Sequence, residues 1–489
     1  MSTVRAGRAS RTVLAVFVGT QLGMILATLD GTIVATALPT ISRDLGHSAQ
    51  RSWVITGYML GQVATMPLYG KLGDLYGRKR IYLFALGVFT LGSVLCGSAA
   101  TLGQLVGFRL LQGIGAGGIG TLAMAIVADI VPARQLGRWL GYQGALFGVA
   151  SLIGPLTGGF FVDQLSWRWA FYVNLPLAAV SIVLVVTKLH LPYRRVRHSL
   201  DVAGAALLTG ALALVIVLAA IGGQQVAWLS PEVVTLGSGA VLLGVACWFR
   251  ERRAREPVLP PRVLARRVVR VAGGLNLTSG ALFAAGVFFL PVFFQQVAGA
   301  SPTESGLFLV PFMFTIALTT LIAGRRVEHT GRYRVWPIVG SAVALVGVGL
   351  LASLTVGTPV VVAAGFGAVL GVGIGFIMQT SLLALQNGVE QRDLGVATST
   401  ALLGRILGVT LGAALASAVL ESGIGGAGLG DVSAYAGAIH SVFLAAVPVA
   451  IVTVVLAWRL PEHELRTQSG YDADEALVAL QLSADTGLG

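Results

Sequence analysis

The stretch that decides the fold is Gly70-Lys71-Leu72-Gly73-Asp74-Leu75-Tyr76-Gly77-Arg78-Lys79-Arg80, a short charged turn between two apolar runs. The runs cover residues 52–70 and 80–100, and each is close to the roughly 20 residues that a helix needs to cross a bilayer. Four of the eleven residues in the turn are Lys or Arg. Because these residues accumulate in short cytoplasmic loops, the turn is expected on the cytoplasmic side and gives every later crossing a direction.

The composition is typical of an integral membrane protein. Of the 489 residues, 55% are hydrophobic and 11% are charged, whereas a soluble chain has about 25% charged residues. A net charge of +12 can indicate a nucleic-acid partner, but 28 of the 33 Lys and Arg residues fall on one side of the predicted membrane. We therefore expect no nucleic-acid partner and interpret the basic residues as topological signals that attract anionic membrane lipids.

Fourteen apolar runs follow one another along the chain, which predicts an all-α integral membrane protein with fourteen crossings and both termini in the cytoplasm. Removing one crossing would place later basic loops outside, against the charge asymmetry. The runs cover residues 13–41, 52–70, 80–100, 103–127, 139–162, 169–187, 201–221, 232–249, 271–297, 305–323, 335–356, 359–386, 394–420 and 438–458.

The sequence carries no pattern typical of an enzyme or a metal protein. It contains no HExxH, GxSxG or Walker A motif, and none of its six histidines falls in the middle of a predicted crossing. Cys96 and Cys247 lie inside predicted helices and are expected to be packing residues. No metal site, cofactor or enzymatic activity is therefore expected.

Three charged residues inside apolar runs carry the functional signal, because a charge at the centre of a membrane helix costs at least about 2.5–3.5 kcal/mol. They are Asp30, Arg109 and Arg405. Asp30 and Arg109 are expected at overlapping depths, so their side chains can meet if their helices are neighbours. We interpret Asp30 as a proton or cation-substrate site in preference to a static ion pair. For Arg405, structural pairing and a functional role both stay open.

Other polar residues in the apolar runs are candidates for a substrate cavity, with ordinary hydrogen bonding between helices as the alternative. These candidates are Gln112, Gln143, Asn174, Asn276 and Gln379. Pairs of glycines four residues apart, such as Gly144 and Gly148, predict close contact between helices, and we favour a moving interface.

The chain resembles the major facilitator superfamily in five motifs that occur in the expected order. Residues 70–80 resemble its loop signature, and residues 29–39 resemble the first-helix motif of its fourteen-helix drug:proton antiporter branch. Residues 109–113, 154–159 and 167–176 resemble motifs on the fourth, fifth and sixth helices. The later half matches mainly in hydropathy, with a degenerate copy of the loop at residues 324–334 that has Glu328 and no Asp at the matching place.

The resemblance implies the major facilitator fold, with two six-helix bundles and two inserted transmembrane helices. The implied divisions are a cytoplasmic tail at 1–12, a first bundle at 13–189 and an inserted helix pair at 190–250. A basic cytoplasmic linker follows at 251–270, then a second bundle at 271–460 and a cytoplasmic tail at 461–489. Alternating access would then arise from rocking of one bundle against the other.

The resemblance also implies roles for individual residues. Asp30 would be the protonatable or substrate-binding carboxylate and Arg109 its partner. A conformational latch would comprise Gly70, Asp74, Gly77 and Arg78, with Asp129 as the partner of Arg78. The antiporter motif, Gly154, Pro155, Gly158 and Gly159, would bend helix five where it seals the opposite bundle.

These features together predict a proton-coupled exporter of lipophilic, cationic drugs or antibiotics in a bacterial plasma membrane. Its partners would be the small-molecule substrate, protons and anionic lipids, and we expect a monomer. A proton-coupled symporter of a small metabolite is one alternative, and substrate-driven proton release would argue against it. A membrane sensor or scaffold that transports nothing is the other, and it would not need a central carboxylate.

Overall fold

The computed structural model of the protein describes residues 2–45, 52–189, 201–222, 226, 230–254, 256–424 and 431–466. Fourteen helices of at least 15 residues lie in this described part of the chain. They are α1 (Ser2–Asp44), α2 (Ser52–Tyr76), α3 (Arg78–Ser98), α4 (Leu102–Ile130), α5 (Ala133–Gln164), α6 (Asn174–Lys188), α7 (Val202–Ile221), α8 (Pro231–Arg253), α9 (Arg267–Val292), α10 (Pro302–Thr330), α11 (Val335–Ala352), α12 (Val360–Asn387), α13 (Leu394–Ile424) and α14 (Val432–Arg459).

Local sequence signals explain several of the helix ends. Gly77 separates α2 from α3 with a φ of 91°, a backbone conformation that favours glycine because it has no Cβ. Ser301 and Glu304 form a reciprocal capping box at the start of α10, which satisfies free backbone N–H groups. The same helix ends at Gly331, whose φ of 72° stops the helical repeat.

Among the described helices, twelve are long and apolar enough to span a membrane. The two long helices outside this group are α2 and α5. Both face the opposite half of the protein, since α2 packs against α13 and α5 packs against α10. A protein-facing helix can carry more glycine and polar residues than a lipid-facing one, which fits α2 with its Gln62, Lys71 and Asp74. In α5, by contrast, residues 145–162 contain no charged residue and form an apolar stretch long enough to cross a bilayer. The expected fourteen crossings and cytoplasmic termini therefore stay predictions.

The helices form two bundles with a hairpin beside them. Helices α1 to α6 pack against one another as a first bundle, and helices α9 to α14 do the same as a second bundle. The hairpin of α7 and α8 packs mainly on α2 of the first bundle. Helix α1 already includes residues 2–12, and α9 begins at Arg267 within the expected linker. Residues 190–200 and 467–489, parts of the expected inserted pair and C-terminal tail, lie outside the described residues.

Backbone contacts close the seam between the bundles at the end that carries the 70–80 turn, which we call the inner end. A Cβ atom added at Gly324 of α10 would lie 2.0 Å from the carbonyl oxygen of Gly137 on α5. One added at Gly70 of α2 would lie 2.6 Å from the carbonyl oxygen of Gly395 on α13. Only glycine permits backbones to approach this closely. The two bundles are therefore in direct contact at their inner ends.

A cavity of about 160 Å³ opens in the same seam towards the opposite, outer end. We call it the seam cavity. Its walls come from α2, α7, α9 and α13, and include Met59, Ile216, Phe288, Val409 and Ala413. The bundles thus touch at the inner end, and towards the outer end the seam has a cavity on the side of α2 and α13.

Candidate functional site

The centre of the first bundle holds a buried ion pair between Asp30 on α1 and Arg109 on α4. Asp30 is 0% exposed and Arg109 is 1% exposed. The Arg109 Nη1 group donates to Asp30 Oδ2 and forms a salt bridge with it. The overlap in depth expected from the sequence thus corresponds to a contact. Burial without a partner would be very costly for either charge, so each side chain holds the other in place.

Two amide side chains complete the coordination of the Asp30 carboxylate. Gln112 Nε2 donates to Asp30 Oδ1 at 2.7 Å, and Asn174 Nδ2 donates to the same oxygen at 3.0 Å. Both amide nitrogens also lie within hydrogen-bond distance of Ser93 Oγ on α3, at 3.1 and 2.9 Å. We call Asp30, Arg109, Gln112, Asn174 and Ser93 the buried polar cluster, which joins α1, α3, α4 and α6.

Arg109 has further partners beyond Asp30. Arg109 Nη1 lies 2.8 Å from Gln112 Oε1, and Nε donates to the carbonyl oxygen of Val54 on α2 at 3.3 Å. The guanidinium carbon lies 4.2 Å from the ring centroid of Tyr58, a distance typical of a cation–π contact. Arg109 therefore also connects α2 to the buried polar cluster.

The buried polar cluster is enclosed within the first bundle. Gln112 and Asn174 are both 0% exposed and use their amides on Asp30 and Ser93. The structure therefore places these two expected cavity residues inside the bundle and away from the seam. The charges of Asp30 and Arg109 balance each other inside the first bundle, and the two amides tie the same carboxylate to α4 and α6.

The expected latch lies at the inner end and connects the two bundles. Arg78 Nη2 donates to Asp74 Oδ1 at 2.9 Å and to the carbonyl oxygen of Gln391, before α13, at 3.2 Å. Asp74 accepts backbone N–H bonds from Gly395 at 3.0 Å and Val396 at 3.1 Å. These groups belong to the first turn of α13, whose free N–H groups and positive dipole end favour a carboxylate.

Asp129, at the end of α4, completes the latch. It forms a salt bridge with Arg78 Nη1, as expected, and it also accepts a hydrogen bond from the Gln391 side chain. Asp74 and Asp129 therefore flank one guanidinium, and both contact the segment that leads into α13. The three charged side chains of the latch, Asp74, Arg78 and Asp129, therefore link α2, α3 and α4 to the second bundle.

Asp74 lies beyond the apolar run that ends at Gly70, and its carboxyl is buried. Burial raises the pKa of Asp74 from 3.8 to about 6, against the lowering effect of Arg78 and the backbone N–H groups of Val396 and Gly395. Asp74 is thus ionised at pH 7. Below about pH 6 it becomes protonated and its ion pair with Arg78 is lost.

A second contact between the bundles involves Glu328, which occupies the degenerate copy of the loop. Glu328 Oε1 lies 3.1 Å from Nη1 of Arg138 on α5. Its carbonyl oxygen accepts a bond from Arg134 Nε at 3.2 Å. Sequence reasoning missed this contact because the copy lacks the matching Asp. The sequence feature that could have predicted it is the acidic Glu328 in the degenerate copy of the loop, together with the basic Arg134 and Arg138 at the start of α5.

The glycines of the antiporter motif pack differently from the expectation. A Cβ at Gly154 would lie 1.8 Å from Thr32 Oγ1, and one at Gly158 would lie 3.0 Å from the carbonyl oxygen of Ile33. Both partners belong to α1 of the same bundle. No atom of the described residues lies within 4 Å of the hypothetical Cβ of Gly159, and Pro155 lies within α5. The opposite bundle contacts the earlier part of α5 instead, where Gly144 faces Thr320 of α10.

The other expected cavity residues have separate environments. Asn276 is 2% exposed and donates to Ser381 Oγ at 3.1 Å, inside the second bundle. Gln143 and Gln379 are buried, and each has a side-chain oxygen without a hydrogen-bond partner among the described residues. Arg405 is half-buried on α13. No hydrogen bond or ion pair between described residues joins any two of these four side chains.

Comparison with known proteins identifies the family. Residues 21–413 match the Major Facilitator Superfamily. The chain is similar to the multidrug transporter protein MdtP of Bacillus subtilis, with 35% identity over 86% of this chain and 78% of that protein. It is also similar to multidrug resistance protein 3 of the same organism, with 34% identity over 84% of this chain and 80% of that protein.

A solved structure supports the fold assignment. The proton:xylose symporter XylE superimposes with a TM-score of 0.64 at 15% sequence identity, over 95% of this chain and 99% of that chain. This likeness concerns the fold alone. With the family match and the helical bundles, it establishes that the chain belongs to the major facilitator superfamily and is a multi-pass membrane transporter, not an enzyme.

Proposed function

We propose that the protein is a proton-coupled antiporter that exports lipophilic small molecules by alternating access. The observation that carries this proposal is the buried Asp30 carboxylate, which is held by Arg109, Gln112 and Asn174. An ionisable group enclosed by a membrane helix bundle is a functional site by default, because burying it is expensive. The two Bacillus subtilis relatives, named as multidrug proteins, support export of small molecules.

The position of Asp30 favours indirect coupling. Competition between a cationic substrate and a proton for this carboxylate would require it to face the substrate. Asp30 is fully enclosed and paired, so we propose that its protonation changes the packing of the first bundle. Loss of its charge would release Arg109 from its partner and shift α1 and α4, and this shift would be transmitted to the seam.

The seam supports alternating access as the transport mechanism. In this structure the bundles touch at the inner end and leave the seam cavity towards the outer end. We propose that this is the outward-facing state. Rupture of the latch formed by Asp74, Arg78 and Asp129 would then accompany opening of the inner end. The Glu328 and Arg138 pair would act as a second latch on the other side of the seam.

We further propose fourteen crossings with both termini in the cytoplasm of a bacterial cell, and a monomer in the plasma membrane. The basic residues of the inner end would contact anionic lipids. The hairpin of α7 and α8 would be the inserted pair at 190–250, between bundles at 13–189 and 271–460. Tails at 1–12 and 461–489 and a linker at 251–270 complete this proposed division.

The test is proton movement in proteoliposomes that contain a pH dye and are acidic inside. Lipophilic cations, anions and neutral antibiotics are added as a panel. For wild type we expect at least one compound to raise the internal pH, and we expect Asp30→Asn to abolish this response. Asp44→Asn is the matched control, since it makes the same change on α1 at an exposed position that contacts Trp167.

Each contrary result has a defined meaning. If Asp30→Asn keeps full substrate-dependent proton movement while Asp44→Asn also does, Asp30 has a structural role and the coupling proposal is wrong. If no compound moves protons in wild type, proton antiport itself is wrong and a non-coupled or non-transporting protein is favoured.

A further inference from the structure

Arg405 lies near the middle of α13, where a charge requires an explanation. It follows the first residue of the helix, Leu394, by eleven positions, which corresponds to about 16 Å at 1.5 Å per residue. The hydrocarbon core of a bilayer is about 30 Å thick. Arg405 is thus close to the midplane if α13 crosses the membrane, and its side chain is half-buried.

Unlike Arg109, Arg405 forms no hydrogen bond or ion pair with any residue that the structure describes. Arg109 has Asp30, Gln112, Val54 and Tyr58 around it. A guanidinium carries five N–H donors and is always charged. Buried cations in membrane helices ordinarily pair with acids or carbonyl groups, or face a polar cavity. With no partner in the described chain, a structural ion pair does not account for Arg405.

The contacts of α13 show which side of the helix Arg405 occupies. Gly404 and Gly408 face α9, where a Cβ on Gly408 would lie 1.9 Å from the carbonyl oxygen of Leu277. Val409 and Ala413 line the seam cavity. Because residues four apart share a helical face, Arg405 lies on the stripe of Val409 and Ala413. It is one turn closer to the inner end than Val409, and it is not itself one of the residues that line the cavity.

The seam cavity has the size and lining for an apolar group. Its volume of about 160 Å³ is close to the roughly 150 Å³ of an apolar cavity that holds benzene. Met59, Ile216, Phe288 and Val409 contribute large apolar side chains to its wall, and Thr410 and Ser417 contribute hydroxyl groups. The described seam therefore combines a ring-sized apolar space with one positive charge a helical turn nearer the inner end.

We propose that Arg405 and the seam cavity bind a lipophilic organic anion, with the acid group on Arg405 and the apolar body in the cavity. This inference rests on the proposed function, because it assigns the substrate class of the transporter. It replaces the cationic substrate expected from the sequence, since the carboxylate that would attract a cation is occupied by Arg109 and the amides. A planar guanidinium suits a carboxylate or sulfonate through paired N–H bonds.

The test compares two probes of the same shape and opposite charge, 2-naphthoate and 2-naphthylmethylammonium. Full-length protein in nanodiscs is titrated with each probe by calorimetry at pH 7. For wild type we expect 2-naphthoate to bind at least about tenfold more tightly, as for a charge-assisted hydrogen bond. Arg405→Gln should weaken 2-naphthoate binding about 10- to 100-fold, while Arg405→Lys should retain most of the preference.

Arg270→Gln is the matched control, because it removes one exposed positive charge from the same bundle and should leave both affinities unchanged. Equal or tighter binding of the ammonium probe to wild type would overturn the proposal, and this comparison needs no variant to fold. An unchanged preference in monodisperse Arg405→Gln would also overturn it. The binding measurement requires no proton gradient, so it is independent of the antiport test. If the wild-type protein shows no proton antiport but still prefers 2-naphthoate, the coupling proposal is wrong and the proposed substrate class is still supported.

Discussion

At the scale of single residues, the side chains of the buried polar cluster depend on one another for charge balance and hydrogen bonding. Asp30 and Arg109 neutralise each other, and Gln112 and Asn174 satisfy the carboxylate oxygen that the arginine leaves free. A buried charge that loses its partner is far more costly than the loss of both charges together. The cluster therefore links the charge of one carboxylate to the stability of the first bundle.

We expect Arg109→Gln to lower the free energy of unfolding by about 3–5 kcal/mol, because it leaves Asp30 buried without its cation. The double variant Asp30→Asn/Arg109→Gln should recover part of this loss, since no unpaired charge is left. Denaturant unfolding of the purified proteins in detergent measures both effects as a double-mutant cycle. Purely additive losses from the two single variants would contradict this coupling.

The ion pair could be predicted from the sequence, but its surroundings could not. Counting residues from the predicted helix ends puts Asp30 and Arg109 at similar depths, and the apolar runs contain few other charges that could pair with them. The roles of Gln112 and Asn174 depend on the rotation of α4 and α6 about their own axes, which hydropathy does not report. Ser93 gave no signal at all, because a single serine in an apolar helix is common.

At the scale of helices, glycines decide where the two bundles can touch. Gly137 and Gly324 bring α5 and α10 into backbone contact, and Gly70 and Gly395 do the same for α2 and α13. The sequence indicated close packing through glycine spacing, but it could not name the partners. For the antiporter motif, the expected partner was the opposite bundle, whereas Gly154 and Gly158 contact α1. The spacing of glycines along a helix shows which of its faces permits close packing, but it does not show which neighbouring helix packs there.

We expect Gly324→Ala to separate α5 from α10 at the inner end, because its Cβ would lie 2.0 Å from a backbone oxygen that cannot rotate away. Spin labels at the exposed positions Gln135 and Thr330 report this separation by pulsed electron resonance. Gly306→Ala on the same helix is the control, since no atom lies within 4 Å of its hypothetical Cβ. Identical distance distributions for the two variants would argue against glycine-controlled closure.

At the scale of the whole molecule, charge asymmetry and hydropathy were sufficient for the class of fold. The family match and the two bundles agree with that prediction. The number of crossings is less directly constrained, because α2 is less apolar than the twelve spans and packs against α13 at the seam. Helix α5 also packs at the seam, but it contains an uncharged apolar stretch at residues 145–162.

The proposed topology can be tested by labelling introduced cysteines in intact cells with a membrane-impermeant maleimide. If α2 crosses, Ala100→Cys, between α3 and α4, should be labelled from outside, and Gln135→Cys, at the start of α5, only after permeabilisation. If α2 does not cross, these two positions should exchange sides. If α2 and α5 both cross, Leu165→Cys, at the end of α5, should be labelled from outside, whereas it should need permeabilisation if α2 crosses and α5 does not. All three residues are exposed, and the native Cys96 and Cys247 are buried.

The central claim is obligatory exchange of substrate for protons, and the most direct measurement uses a substrate gradient alone. Proteoliposomes are loaded with a compound that moved protons in the panel, diluted into substrate-free buffer at equal pH, and followed with the internal dye. Antiport predicts that substrate leaving the vesicle brings protons in, so the interior becomes acidic in wild type and stays unchanged in Asp30→Asn. An interior that becomes alkaline would indicate symport, and a constant pH during substrate efflux from wild type would show that transport is uncoupled.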